Sequence, residues 1–147
     1  MAKLIIMGIL GVVLWGCGAT AINTSTATKE IEKERDCAKG ILAADSILGG
    51  MRNLETLESS LSFSIDKYTT ALKSLDYSAC STDFRRAFME HIKAWENLKN
   101  VTNKYPSFRG EMHEVFKRLE RGEEAAQFAE LLKDIWATWD RVVASSQ

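Results

Sequence analysis

Residues that interrupt helices are scarce in this sequence. Its 147 residues include one proline, Pro106, and nine glycines. Proline costs about 3 kcal/mol and glycine about 1 kcal/mol relative to alanine in a helix interior. Three of the glycines, Gly8, Gly11 and Gly16, lie within the first sixteen residues. The rest of the chain therefore predicts long helices, and no strand-like alternation of comparable length is present.

The residues that carry much of enzyme and metal chemistry are also few. The only histidines are His91 and His113. His113-Glu114 begins like the zinc-binding HExxH motif, but Lys117 stands where the second histidine would be. The sequence has no G-x-S-x-G, no C-x-x-C-H and no Glu-x-x-His pair. We therefore predict a protein that is not an enzyme and that holds neither a metal nor a cofactor.

Neither sign of charge dominates the sequence. Nineteen Lys and Arg residues face twenty Asp and Glu residues, for a net charge of −1. Without the first sixteen residues, which contain Lys3 and no acid, the balance is 18 minus 20, or −2. This balance gives no electrostatic attraction to nucleic acid or to an anionic membrane face. Nucleic acid is therefore not expected as a partner.

The start of the chain has the layout of a secretory signal peptide. A single positive charge, Lys3, precedes an uncharged apolar stretch from Leu4 to Trp15. The next residues complete the sequence Leu14-Trp15-Gly16-Cys17, which resembles the lipobox of bacterial lipoproteins, where a signal peptidase cuts ahead of the cysteine. Leu14 and Gly16 match that pattern, whereas Trp15 stands where a small or short-branched residue is usual.

This resemblance implies a lipid anchor on Cys17. In that family the cysteine thiol carries a diacylglycerol thioether and the freed amine is acylated, and three acyl chains anchor a protein firmly. The next residue is Gly18 rather than the Asp that commonly retains such proteins in the inner membrane, which points to the outer membrane. We expect a signal peptide over 1–16, a lipidated tether over 17–27, and a helical domain over 28–147 that faces the periplasm or the cell surface.

Two other interpretations of this N-terminal segment are possible. Ala19-Thr20-Ala21 is an A-x-A cleavage signal, and cleavage after Ala21 would release a soluble secreted protein. The charge-free run from Leu4 to Ile22 approaches the roughly 18 to 20 residues that span a bilayer, so it could remain as an uncleaved anchor. We prefer lipidation at Cys17, because the length and flanks of the segment fit it best.

The two remaining cysteines, Cys37 and Cys80, form an even pair in an exported protein. An oxidising compartment makes a disulfide between them the expected outcome. The alternative is that Cys80, which directly precedes a predicted helix beginning near Ser81 or Thr82, is a reactive thiol.

Apolar residues at helical spacing predict the secondary structure. A first amphipathic helix is expected from Thr28 to about Leu48, ended by Gly49-Gly50. Two longer stripes follow, formed by Leu54, Leu57, Leu61, Ile65, Tyr68, Leu72 and Leu75 and by Phe84, Phe88, His91, Trp95, Leu98 and Thr102. Beyond the proline, the pattern predicts a short helix over Met112 to Leu119 and a last helix from about Glu123 to Ala144.

Short connections make consecutive helices antiparallel. We therefore predict an all-α fold, an up-down antiparallel bundle of three to four helices. The Thr28–Leu48 segment is the fourth helix, beside three main ones.

Two side chains are expected to contact a ligand or partner. His91 lies on an apolar stripe, where a bundle histidine can ligate haem iron, although a satisfied core residue is its commoner role. Trp136 lies beside the main stripe of the last helix and would mark a contact surface if left uncovered. The segment Asp83 to Trp95 looks like segments of small uncharacterised bacterial lipoproteins, which implies no activity.

These features together favour a non-enzymatic, membrane-anchored module that binds or supports another protein of the cell envelope. A haem-binding or small-molecule-binding bundle that uses His91 is the alternative.

Overall fold

The computed structural model describes residues 24–147, and these form an all-helical domain. The helices are α1 (Thr24–Glu55), α2 (Leu61–Lys73), α3 (Thr82–Thr102), α4 (Met112–Leu119) and α5 (Ala125–Ser145). No strand occurs among these residues, so the all-α prediction is confirmed. α2 packs against both α1 and α3, and α3 packs extensively against α5. The predicted signal peptide and Cys17 lie outside the described residues.

The first helix is longer at both ends than the sequence predicts. It begins at Thr24 rather than Thr28, and it continues through Gly49-Gly50 to Glu55. The prediction that the two glycines end it is therefore wrong. Each glycine costs about 1 kcal/mol in a helix, and the contacts that Arg52 makes with Tyr68 and Trp95 offset that cost. Arg52 is 9% exposed, and its position depends on the continuity of the helix.

The predicted second helix is interrupted where it was expected to be continuous. The stripe from Leu54 to Leu75 spans a break, because α1 ends at Glu55 and α2 begins at Leu61. Ser60 starts α2 with an extended backbone (φ −68°, ψ 149°), and its hydroxyl accepts a hydrogen bond from the Phe63 amide. Serine is among the preferred residues at this position, because its oxygen satisfies an amide that has no partner within the helix.

The break exposes two leucines that were predicted to be buried. Leu54 is 68% exposed and Leu57 is 52% exposed, whereas Thr56 between them is fully buried. The Thr56 hydroxyl donates to the Asn53 carbonyl at 2.7 Å, and the Thr56 carbonyl accepts from the Gly110 amide at 2.8 Å. These bonds satisfy the polar atoms of Thr56, which allows a threonine to occupy the interior at this turn.

The core is built around α3, as the spacing of its apolar residues predicts. Ser81 caps this helix by accepting a hydrogen bond from the Phe84 amide. Every member of the predicted α3 stripe is buried, including His91 and Thr102. From the other helices, the large apolar side chains that are at most 2% exposed are Leu61, Ile65, Leu72, Val115, Leu119, Phe128, Ile135 and Val142. The amphipathic stripe on α3 therefore identifies the centre of the domain correctly.

A disulfide joins Cys37 of α1 to Cys80, two residues before α3. Their Cα atoms are 5.1 Å apart, within the usual range for a disulfide. The bridge ties the first half of α1 to the entry of α3. In this bridged form Cys80 is not a free thiol.

Candidate functional site

A cavity of about 320 Å³ opens between α1, α3, α4 and α5, and Tyr68 of α2 completes its wall. Ligand sites commonly occupy about 300 to 1,000 Å³ and are lined mainly by apolar and aromatic groups with a few polar ones. This cavity has that character. Its walls include Arg52, Tyr68, Trp95, Phe116, Trp136 and Trp139.

Arg52 places a positive charge in the wall of the cavity. Its guanidinium carbon lies 4.5 Å from the centre of the Tyr68 ring and 4.0 Å from the centre of the Trp95 ring. Such contacts are attractive because the electron-rich face of an aromatic ring favours a cation. Burial nevertheless lowers the pKa of Arg52, and Tyr68 and Asp45 oppose that shift. The guanidinium therefore contacts two rings that are nearly perpendicular to each other, at 79°.

Asp45 contributes a carboxyl group to the same wall. The Tyr68 hydroxyl donates a hydrogen bond of 2.5 Å to Asp45 Oδ1. Burial raises the pKa of Asp45, while the Tyr68 hydrogen bond and the Arg52 charge lower it. Burial, with the nearby Asp45 charge, also raises the pKa of Tyr68, so the phenol stays protonated. The cavity wall therefore contains a hydrogen-bonded acid beside a stacked guanidinium.

His91 is a satisfied core residue with both ring nitrogens engaged. Trp95 Nε1 donates to His91 Nε2 at 3.2 Å, and His91 Nδ1 lies 2.9 Å from the Thr138 hydroxyl oxygen. Thr138 in turn donates to the carbonyl oxygens of Asp134 and Ile135. This chain of donors assigns the proton to Nδ1 and the lone pair to Nε2. Burial lowers the pKa of His91 to about 4, so the ring is neutral at pH 7.

The two predicted contact residues, His91 and Trp136, both line this cavity. His91 is 4% exposed, whereas Trp136 is 61% exposed. Trp136 therefore stands at the opening of the cavity and His91 on its inner wall. His113, which the sequence gives no role, also lines the cavity and bonds to Glu111 at 2.8 Å.

The sequence did not identify Arg52 and Asp45 as site residues. Seven residues, or about two helical turns, separate them, so they share one face of a continuous helix. Because Gly49-Gly50 was predicted to end the helix, Arg52 was not assigned to the same helix face as Asp45. A helix continued through the glycines would have placed the acid and the arginine side by side.

Residues 24–147 contain no cluster of three His, Cys, Asp or Glu side chains suited to a metal ion. In the same region, no helix combines the length and hydrophobicity needed to cross a membrane. Comparisons with protein-family models, with curated proteins and with solved structures find no match for this chain. The geometry of the cavity is therefore the basis of the functional proposal.

Proposed function

We propose that this chain is an exported, lipid-anchored, non-enzymatic protein whose helical domain binds an apolar ligand in the cavity between α1, α3, α4 and α5. The observation that carries the proposal is the position of Trp136, a large aromatic side chain left 61% exposed at the opening of a cavity of about 320 Å³. Exposed aromatic residues beside a pocket are typical anchors for binding partners.

The expected ligand contact at Trp136 gives a direct test. We predict that Trp136→Ala weakens the binding of a neutral apolar probe, naphthalene-1-acetamide, by at least about tenfold, because aromatic anchors contribute about 2 kcal/mol or more. The free energy of unfolding should change by less than about 0.5 kcal/mol, since the side chain is largely exposed. Isothermal titration calorimetry measures the first quantity and urea denaturation the second.

Val143 provides the matched control for Trp136. It lies on the same helix, is 41% exposed and does not line the cavity. Val143→Ala should leave both the probe affinity and the stability unchanged. Equal affinities for wild type and Trp136→Ala would contradict the proposed site.

Lipidation at Cys17 is the part of the proposal that sets the location. It rests on the lipobox-like sequence ending at Cys17, and it places the domain at the bacterial envelope, with the outer membrane favoured by Gly18. Wild-type protein should incorporate radiolabelled palmitate in growing bacterial cells, and Cys17→Ser should not. Equal labelling of both, or of neither, would contradict the anchor.

An up-down arrangement of antiparallel helices is proposed for the scaffold. Ion pairs between α2 and α3 support it, because the higher-numbered residue of α2 pairs with the lower-numbered residue of α3. Lys73 pairs with Glu96, and Asp66 pairs with Lys99. Contacts between α3 and α5 follow the same reversed order.

Haem binding through His91 fits this geometry poorly. An iron ligand needs a free imidazole lone pair, but Trp95 already donates to His91 Nε2 and Nδ1 carries the proton. The alternative function is therefore small-molecule binding without haem. In that function His91 positions Trp95 and does not ligate a metal.

An envelope protein as partner remains the second candidate function. The observation that favours it is an exposed apolar face on α1. Ile47, Met51 and Leu54 are spaced by four and three residues, and they are 66%, 60% and 68% exposed. Such a face is larger than the scattered apolar residues found on most protein surfaces.

A further inference from the structure

The guanidinium of Arg52 is buried, yet it has few partners. It is 9% exposed. Its Nε and Nη2 atoms both donate to one oxygen, Asn53 Oδ1, at 3.3 and 3.2 Å. The guanidinium also interacts with the Tyr68 hydroxyl and, at longer range, with the Asp45 charge. Among the described residues, no carboxylate forms an ion pair with it within 4.0 Å. A guanidinium carries five N–H donors, so several are unused.

A buried charge without a close ion pair is costly, and it favours a ligand that supplies one. Burial of a charge is tolerated when it is paired and hydrogen-bonded. Asp45 interacts with Arg52 only at longer range, and its Oδ1 atom accepts a hydrogen bond from the Tyr68 hydroxyl. The cavity therefore has an unmet demand for a hydrogen-bond acceptor, and for negative charge, at Arg52.

The contacts of Arg52 determine which anion fits best. The guanidinium lies against the Tyr68 and Trp95 rings, which are nearly perpendicular to each other at 79°, so its remaining N–H groups are the part that can accept a ligand. The edge of a guanidinium matches a carboxylate, which it binds through two parallel hydrogen bonds. Because one cation faces the site with Asp45 nearby, a singly charged anion suits it better than a doubly charged phosphate.

The same geometry disfavours cationic ligands. Aromatic cages recognise quaternary ammonium groups through the faces of their rings. Here Arg52 already contacts the faces of two aromatic rings of the wall, and its charge repels a second cation. Beyond it, the cavity is walled by Phe116, Trp136 and Trp139, which suit a flat apolar body.

We propose that the ligand of this cavity is an apolar organic acid whose carboxylate binds the edge of Arg52 while its apolar body contacts Trp136 and Trp139. This inference rests on the proposed function, which it deepens by naming the chemical class of the ligand.

A charge series on the wild-type protein tests the inference without any mutation. The probes are naphthalene-1-acetate, the neutral naphthalene-1-acetamide and the cationic 1-naphthylmethylammonium, titrated by calorimetry into full-length purified protein in dodecylmaltoside. We expect the acetate to bind at least tenfold more tightly than the acetamide, and the ammonium compound to bind more weakly than both. Added salt should weaken the acetate alone.

Arg52→Gln isolates the charge within the same cavity. The acetate should lose at least tenfold in affinity, and the acetamide should change by less than threefold. Circular dichroism verifies that the variant is folded, and the wild-type charge series decides the question if it is not. Arg52→Lys, which keeps the charge but lacks the two-pronged edge, should recover only part of the acetate affinity.

The outcomes separate the inference from the proposed function. Equal affinities for acetate and acetamide, both weakened by Trp136→Ala, would overturn carboxylate recognition and leave the apolar site standing. Tighter binding of the ammonium compound would also overturn it. Absence of binding by all three probes would overturn the inference and the proposed function together.

Discussion

Removal of the Cys37–Cys80 disulfide should lower the free energy of unfolding by about 4 kcal/mol. The bridged cysteines are 43 positions apart. In the chain-entropy model, opening a loop of that length returns about 13 cal/mol/K of entropy to the unfolded chain. Chemical denaturation of wild type and of a Cys37→Ser/Cys80→Ser double variant, followed by circular dichroism, measures the difference.

Reduction provides the control for this prediction. Dithiothreitol should destabilise the wild-type protein by a similar amount and should leave the double variant unaffected. A loss below about 1 kcal/mol would mean that the bridge does not constrain the unfolded chain as the geometry implies. The bridge also links α1 to α3, two of the helices around the cavity, so its loss should weaken ligand binding as well.

Acidification should remove about 3 kcal/mol of stability through His91. Burial, with the nearby Arg52 charge, lowers the pKa of His91 from 6.5 to about 4 in the folded protein. Between these two pH values the unfolded chain binds more protons at this residue than the folded chain does, so stability falls as pH falls. The contribution is complete above pH 6.5 and lost by pH 4. The difference of about 2.5 pH units corresponds to about 3 kcal/mol.

His91→Gln separates this effect from the titration of carboxylates. Glutamine has a donor and an acceptor but does not titrate in this range, and the carboxylates are common to both proteins. The difference in free energy of unfolding between wild type and variant should therefore shrink by about 3 kcal/mol from pH 7 to pH 4. A difference that is constant with pH would contradict the buried neutral imidazole. An NMR titration of the His91 ring protons gives its pKa directly, even if the variant folds poorly.

The spacing of apolar residues predicts the α3 part of the fold well. Its apolar stripe has spacings of three or four residues from Phe84 to Thr102, and a stripe of that length has to be buried. Serine is a favoured capping residue, so Ser81 also predicts where this helix begins. Local pattern and tertiary packing agree here, and the all-helical class follows from that agreement.

Local preferences fail where tertiary packing opposes them. Gly49-Gly50 favours the end of a helix, but burial of Arg52 and its two aromatic contacts keeps α1 continuous. Conversely, Leu54 and Leu57 continue an apolar stripe, but the buried Thr56 and the cap at Ser60 end it. These outcomes depend on residues distant in sequence, such as Trp95 and Gly110, whose proximity no single-sequence pattern reveals.

The residues of the candidate site could likewise be predicted only in part from the sequence. His91 and Trp136 were singled out because they lie on or beside recognisable stripes, and both line the cavity. Arg52 and Asp45 were not, because a charged residue on a helix is usually a solvated one. The burial of Arg52 follows from the packing of Tyr68 and Trp95 against its guanidinium, which only the assembled helices create.

The central claim is that the cavity between α1, α3, α4 and α5 is a preformed ligand site. The most direct measurement follows the indole N–H signals of Trp95, Trp136 and Trp139 by NMR while naphthalene-1-acetate is added to the full-length protein. All three line the cavity, so their signals should shift together and saturate at one common probe concentration. The amide signal of Phe63, on the exposed face of α2, should not move. Indole signals that stay in place, or that shift without saturation alongside Phe63, would contradict the claim.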